Sequence, residues 1–285
     1  MLSMTMQVEG KLNQLISRLP EGLLVDSTWM NEHGYSSALR SQYVSAGWLE
    51  QPARSVYRRP RGVLGWEQVV ISLQTILNQA FLVGGRTALE LQGFSHYLSA
   101  DVREVHLYGP EPLPRWVGKL NLGVRFSYHN SQRLFRNEPA TTGLTSLAWH
   151  VMDNRGGSND PIHGSTKQIP WGHFEWPLTV STPERAILEM LDQLPKKESF
   201  HQVDKMMEGL ATLSPRRLTR LLHDCRSIKV KRLFFFFAFR HNHRWLKHLD
   251  PQTFDLGSGK RVLVEGGKLD PQFMITVPED LDGPA

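Results

Sequence analysis

The sequence predicts an α+β protein: an N-terminal winged helix-turn-helix followed by a larger mixed α/β C-terminal domain. Three observations lead there. Residues 10–60 place short helical segments around a tight turn, then a Gly-Trp-Leu step and a hairpin rich in arginine. Beyond residue 62, segments with period-two alternation (103–109 and 122–129) are interleaved with segments of helical period. A chain of 285 residues is long enough for two domains, each burying a core. Pro60-Arg61-Gly62 marks the expected boundary, giving a winged-helix unit at 1–61 and a mixed α/β unit at 62–285, with a further subdivision near 180–195.

In chain order, Leu12, Leu15, Ile16 and Leu19 recur at three-to-four spacing and predict a first helix over Glu9–Leu19, stopped by Pro20-Glu21-Gly22. Ser27 is the expected N-cap of a second short helix that ends near Gly34, a glycine suited to the left-handed turn. Ser36 caps a third helix over Ser37–Ala46 with Leu39, Tyr43 and Val44 facing inward. Trp48–Glu50 and Ser55–Arg58 then form the wing, with Tyr57 packed beneath it. Helices follow over Trp66–Gln79 and Thr87–Leu91, and strands over 103–109 and 122–129. Residues 153–173 form a long polar loop or a hairpin. Thr182-Pro183 starts a helix to Leu194, because proline at the first helical position loses no hydrogen bond. Helices near 199–210, 214–224 and 228–245 come next, and the tail returns to strands at 253–256, 260–264 and 273–277.

Composition narrows the function classes. A formal net charge of +5 favours polyanionic partners without establishing one. Cys225 is the single cysteine, so an internal disulfide or a multi-cysteine zinc site is excluded. The first residues lack a basic segment followed by an apolar one, and Leu233–Phe239 is too short to span a bilayer. We expect a cytoplasmic protein, with that apolar run as a buried helix.

The winged-helix reading names a DNA interface. In such a fold the N-terminal residues of the second helix of the motif meet base edges. Arg40 and Ser41 are the expected base readers, with Ser36 and Ser37 donating to phosphate. Arg54, Arg58, Arg59 and Arg61 fall in a stretch without an acid and would grip the backbone from the wing. A winged helix used for protein contacts is the alternative.

Other candidates carry less. Gly84-Gly85-Arg86-Thr87 looks like a phosphate-cradling turn but lacks the P-loop lysine, and Arg103-Glu104-Val105-His106 follows where a nucleotidyltransferase would place Asp-x-Asp. A tight turn packing a helix onto a sheet is the better reading. His241, His243 and His248 read as solvated surface residues, so no metal is expected, and no motif calls for a cofactor. No nucleophile and base are arranged for covalent catalysis, so no enzymatic activity is expected. Residues 216–247 hold ten basic residues against one acid, Asp224. Such a run is usually a solvated helical face; this one is dense enough to be a surface for nucleic acid or an acidic partner. Arg216, Arg217 and Arg220 share helical spacing, and Lys229, Lys231 and Arg232 extend the candidate surface.

Five segments together resemble the AbiEi-type antitoxins of bacterial abortive-infection (type IV) toxin–antitoxin systems: 37–60 (SALRSQYVSAGWLEQPARSVYRRP), 84–98 (GGRTALELQGFSHYL), 180–194 (VSTPERAILEMLDQL), 230–250 (VKRLFFFFAFRHNHRWLKHLD) and 256–278 (LGSGKRVLVEGGKLDPQFMITVP). They span nearly the whole chain in the family's order. The resemblance implies a transcriptional repressor whose winged helix binds inverted repeats in its own promoter. It implies that the C-terminal domain neutralises a nucleotidyltransferase-like toxin without a stable complex. The family's wing often has glycine before the Val-Tyr pair, whereas Ser55 stands there in this chain. Two alternatives stay open: a DNA-binding regulator with a ligand-sensing C-terminal domain, and a nucleotide-handling enzyme related to nucleotidyltransferases.

Overall fold

The computed structural model describes residues 2–94, 102–137 and 165–282, with side chains from Gly10 onward. Helix α1 (Leu2–Arg18) starts well before the expected Glu9 and buries Leu15 and, just past its end, Leu19. A short strand that lacks a sequence signal, β1 (Leu24–Asp26), follows and leads straight into α2 (Ser27–Glu32). The cap of α2 is Asp26 rather than Ser27: its carboxylate accepts from the Trp29 N–H at 2.9 Å. Carboxylate and hydroxyl caps satisfy the same orphan donors, so the shift is of one residue with one chemistry. Gly34 turns the chain at φ +79°, and Ser36 caps α3 (Ser37–Ser45) through the Leu39 N–H.

The wing strands are β2 (Glu50–Ala53) and β3 (Val56–Arg58), and the sheet order is β1-β3-β2, all antiparallel. Ser55 occupies the turn at φ +66°. A serine here takes the left-handed conformation for which glycine is the cheaper residue. The tight turn therefore survives the departure from the family pattern.

The larger unit is built on a five-stranded mixed sheet. Its strands are β4 (Leu82–Val83), β5 (Glu104–Gly109), β6 (Arg125–Asn130), β7 (Thr166–Trp171) and β8 (Trp176–Ser181), in the order β6-β5-β4-β8-β7. β4 runs antiparallel to β5 and parallel to β8; β5 and β6 are parallel; β7 and β8 form a hairpin. The expected polar segment 153–173 thus ends in a strand, and its earlier part lies outside the described residues. β8 escaped the sequence reading because nearly every residue in it is buried, so no alternation marks it.

Helices α4 (Trp66–Gln74), α5 (Gly85–Leu91) and α6 (Pro183–Asp192) pack on this sheet. Buried Gln74 joins α4 to the sheet: its side-chain amide donates to the Phe81 and Thr179 carbonyls and accepts from the Thr179 N–H. α4 also reaches back across the expected boundary. The Leu24 N–H of β1 donates to Ser72 Oγ at 2.9 Å, and Leu24 and Val56 share an apolar cluster with Val69, Leu73 and Phe81.

Three more helices complete the core: α7 (Phe200–Gly209), α8 (Pro215–Asp224) and α9 (Ile228–His241). α9 buries Leu233, Phe234, Phe235, Phe237 and Ala238 completely; each aromatic ring withdrawn from water stabilises the fold by roughly 2–3 kcal/mol. It stops at Asn242 in the left-handed conformation, short of the expected 245. The tail differs more. Segments 253–256 and 260–264 are not strands; the ladder pairs β9 (Lys268–Asp270) with β10 (Ile275–Val277). Thr276 explains part of this, since its hydroxyl accepts from the Leu263 and Val264 N–H groups that a strand would have offered to a neighbour. No helix among the described residues is long and apolar enough to cross a membrane.

Candidate nucleic-acid interface

The helix-turn-helix is held by ring stacking and by an inward-facing arginine. Trp29 stacks on His33 with ring centroids 3.9 Å apart, and Tyr35 and Tyr43 are buried beside them. Arg40 is 7% exposed. Its guanidinium donates to Asn31 Oδ1 at 2.7 Å and to the Ser27 carbonyl at 3.2 Å, and lies 5.5 Å from the centre of the Tyr57 ring. The expectation that Arg40 reads bases is therefore corrected: it ties α3 to α2 and to the wing. The helical wheel carries the reason. At about 100° per residue, Arg40 falls between Tyr43 and Val44 on the face that packs inward. The opposite face presents Ser37, Ala38, Ser41, Gln42 and Ser45, all exposed. Gln42 was missed, although its position opposite that inward face marks it.

Two wing arginines are also internal. Arg58 is 6% exposed; it pairs with Glu50 at 2.6 Å and donates to the Gly62 carbonyl. Arg59 donates to the carbonyls of Ile16 and Leu19 at 3.1 Å each, satisfying acceptors at the end of α1 that have no helical partner. Its other nitrogen pairs with Glu21, and the same carboxylate holds Arg61. Arg61 is exposed but lies 4.5 Å from the Phe174 ring centre, at the turn between β7 and β8. Arg54, at the wing turn, is exposed and has no hydrogen-bond or ionic partner among the described residues. Ser36 is exposed with its hydroxyl engaged in the cap.

The Gly-Gly turn is a packing device. The Gly85 N–H donates to Glu189 Oε2 at 2.9 Å, and Ser181 donates to the same oxygen. A Cβ on Gly84 would run into that carboxylate and the Tyr108 ring. The cradle that could have held a phosphate is filled by the chain's own anion, which Arg185 balances at 2.7 Å.

Beside this turn lies a buried polar cluster that the sequence reading did not assemble. His106 Nδ1 and His129 Nε2 are 3.0 Å apart, and Tyr108 stacks on His129. Burial lowers both imidazoles to about 4, so they are neutral at physiological pH. Glu198 is 3% exposed, and neither carboxylate oxygen has a hydrogen-bond donor among the described residues. Arg86 Nε approaches it at 3.4 Å and His106 Nε2 at 3.7 Å. Burial raises this carboxyl to about 7. Glu104-x-His106 alternation hints at one wall of the cluster; Glu198, in a Lys-Lys-Glu-Ser stretch, looks solvated in the sequence.

Two family models cover the chain. One, described as the N-terminal domain of the transcriptional regulator AbiEi antitoxin, matches residues 8–100. The other, described as the transcriptional regulator AbiEi antitoxin of type IV toxin–antitoxin systems, matches residues 102–278. The chain belongs to the AbiEi antitoxin family. No curated protein matches the antitoxin. The crystal structure of the RV2827C protein from Mycobacterium tuberculosis shares its fold, with a TM-score of 0.53 at 14% identity, over 94% of this chain and 88% of that one.

The antitoxin's second candidate surface divides in the same way as the first. Lys229 donates to the carbonyls of Asp192 and Leu194, capping the end of α6. Lys231 is 4% exposed. Arg232 is buried and donates to the carbonyls of Leu256, Gly259 and Met274, tying the tail to α9. Lys231 and Arg232 are corrected from surface to interior, on the inward side of the helix that carries the phenylalanines, and half-buried Lys229 is engaged by the end of α6. Arg216 is exposed and Arg217 and Arg220 are half-buried, and these stay together on α8. The expectation for the histidines also changes. His241 lies 2.8 Å from Asp204, and His243 meets the Met207 carbonyl. Among the described residues no group of three or more potential ligands could hold a metal ion.

Proposed function

We propose that this antitoxin represses its own operon by placing the exposed face of α3 in the major groove of promoter DNA, with the wing tip on the adjacent backbone. Ser41 and Gln42 supply the groove-facing polar atoms; a glutamine can address adenine through two hydrogen bonds. Ser36, Ser37 and Arg54 supply the backbone contacts. In this reading residues 1–61 carry the DNA contact, and residues 62–285 counter a nucleotidyltransferase-like toxin without a stable complex.

One observation carries the DNA reading. Arg40, Arg58 and Arg59 are spent on internal acceptors, while exposed Arg54 stands at the wing tip and a polar helical face free of bulky side chains is left exposed beside it. Internal arginines that fix the angle between α2, α3 and the wing preorganise such a face.

The test is a gel shift on the DNA upstream of the gene against a scrambled duplex. Gln42→Ala should blur the preference between the two, and Arg54→Ala should weaken both equally. Equal binding of both duplexes by the unaltered protein defeats the operator assignment. Co-expression with the product of the adjacent gene tests the second half: growth that the full-length chain does not rescue removes the antitoxin mechanism proposed for residues 62–285.

A further inference from the structure

We infer that a cleft on α8 is a binding site for the phosphate groups of a nucleic-acid strand, separate from the promoter contact. The cleft is about 280 Å³ in volume and is lined by Ser214, Arg216, Arg217 and Arg220. Glu184, the acid bonded to this lining, is buried and already satisfied: it accepts from the Ser214 N–H at 2.7 Å and from Arg217 Nη1 at 2.9 Å. That carboxylate occupies the backbone at the start of α8, so the site does not rest on the helix terminus. What remains is Arg216 and Arg220, one turn apart, without a hydrogen-bond or ionic partner among the described residues. Arg217 keeps its Nε unpaired as well.

The lining chooses the ligand. Guanidinium forks match the oxygens of phosphate in bidentate geometry, and the two unpaired ones, Arg216 and Arg220, line the cleft together. The wall carries no aromatic ring on which a base could stack, and no apolar side chain of the sort that anchors a protein partner. The cleft therefore takes the backbone of a strand and is indifferent to its bases. Elsewhere in the chain, arginines of equal density have been recruited to internal carbonyls and carboxylates. At this cleft three line one cavity, and two of them are unpaired among the described residues.

The experiment uses the full-length protein and a fluorescent mixed-sequence 20-nucleotide single-stranded RNA, followed by anisotropy at several salt concentrations. The double substitution Arg216→Ala/Arg220→Ala should weaken binding roughly tenfold and reduce the slope of log K against log salt by about 1.4, the value for two lost phosphate contacts on a single strand. Unchanged affinity and slope overturn the inference. Two competitors identify the ligand. Polyglutamate that binds and loses its binding in the double variant, while RNA binding persists, makes this an acidic-protein site and overturns it. So does ATP that binds through the same arginines when the strand does not. Promoter duplex binding in the gel shift should be the same for the double variant and the parent. Failure of the α3 reading and failure of this one are thus distinguishable. An unchanged urea midpoint shows that the variant is folded.

Discussion

The arginines of the winged helix and those of α8 are alike in type and density, yet the fold uses them in opposite ways. Arg40, Arg58 and Arg59 each find a carbonyl or carboxylate within hydrogen-bond reach and become internal braces. Arg216 and Arg220 find none among the described residues and stay available to a partner. The difference teaches that a cationic run in a sequence measures supply. Demand is set by orphan acceptors at helix ends and by acids brought near in space. Arg59 and Lys229 make the point twice, each closing the C-terminal carbonyls of a helix distant in sequence.

The comparison can be broken most forcefully at Arg232. Arg232→Ala empties a buried guanidinium site and takes the donor from the Leu256 and Gly259 carbonyls, while Met274 keeps the Arg261 N–H; it should cost about 3 kcal/mol, read as a lower urea midpoint at unchanged slope. A loss below about 0.5 kcal/mol would mean that this arginine belongs with the free ones.

The next effect is pH-dependent and concerns the cluster around Glu198. Its carboxyl is raised to about 7 by burial, so its favourable contribution is complete below the ordinary carboxylate range and disappears as pH rises through 7. His106 and His129 act in the other sense: lowered to about 4, they favour the fold above their ordinary value of 6.5 and oppose it as pH falls towards 4. Glu198→Gln removes the first effect alone. The variant should gain stability relative to the parent between pH 5 and pH 8, by roughly 3 kcal/mol at most. Melting curves that move in parallel across that range would show that Glu198 does not titrate there.

Arg40→Ala comes third. It should destabilise the protein by about 1–2 kcal/mol through the lost bonds to Asn31 and Ser27, and should weaken promoter binding without changing its sequence preference. A selective loss at one base pair would return Arg40 to the groove. The smallest effect belongs to Arg54→Ala, Arg216→Ala and Arg220→Ala, each expected within about 0.5 kcal/mol of the parent in stability. These are the substitutions whose consequences should appear in binding.

Much of the architecture was legible because it depends on local chemistry. Ser36 before α3, Pro183 at the start of α6 and Gly34 at φ +79° are signals read within a few residues, and each appears where expected. The phenylalanine run of α9 could only be buried. Strands were harder. β4 has two residues and β8 is buried on nearly all positions, so neither carries an alternating pattern; both exist because neighbours in the sheet complete their hydrogen bonds.

The sequence by itself determined the family, the helix-turn-helix with its wing, the mixed α/β unit behind it, and which residues could be charged or could cap. Only the tertiary structure decided which arginines are surface and which are structure, that the Gly-Gly turn is closed by Glu189, and that Glu198 meets His106 and Arg86. The reason is physical. Periodicity and capping act within a helical turn or two, whereas the partner of a buried charge is chosen by contacts tens of residues away.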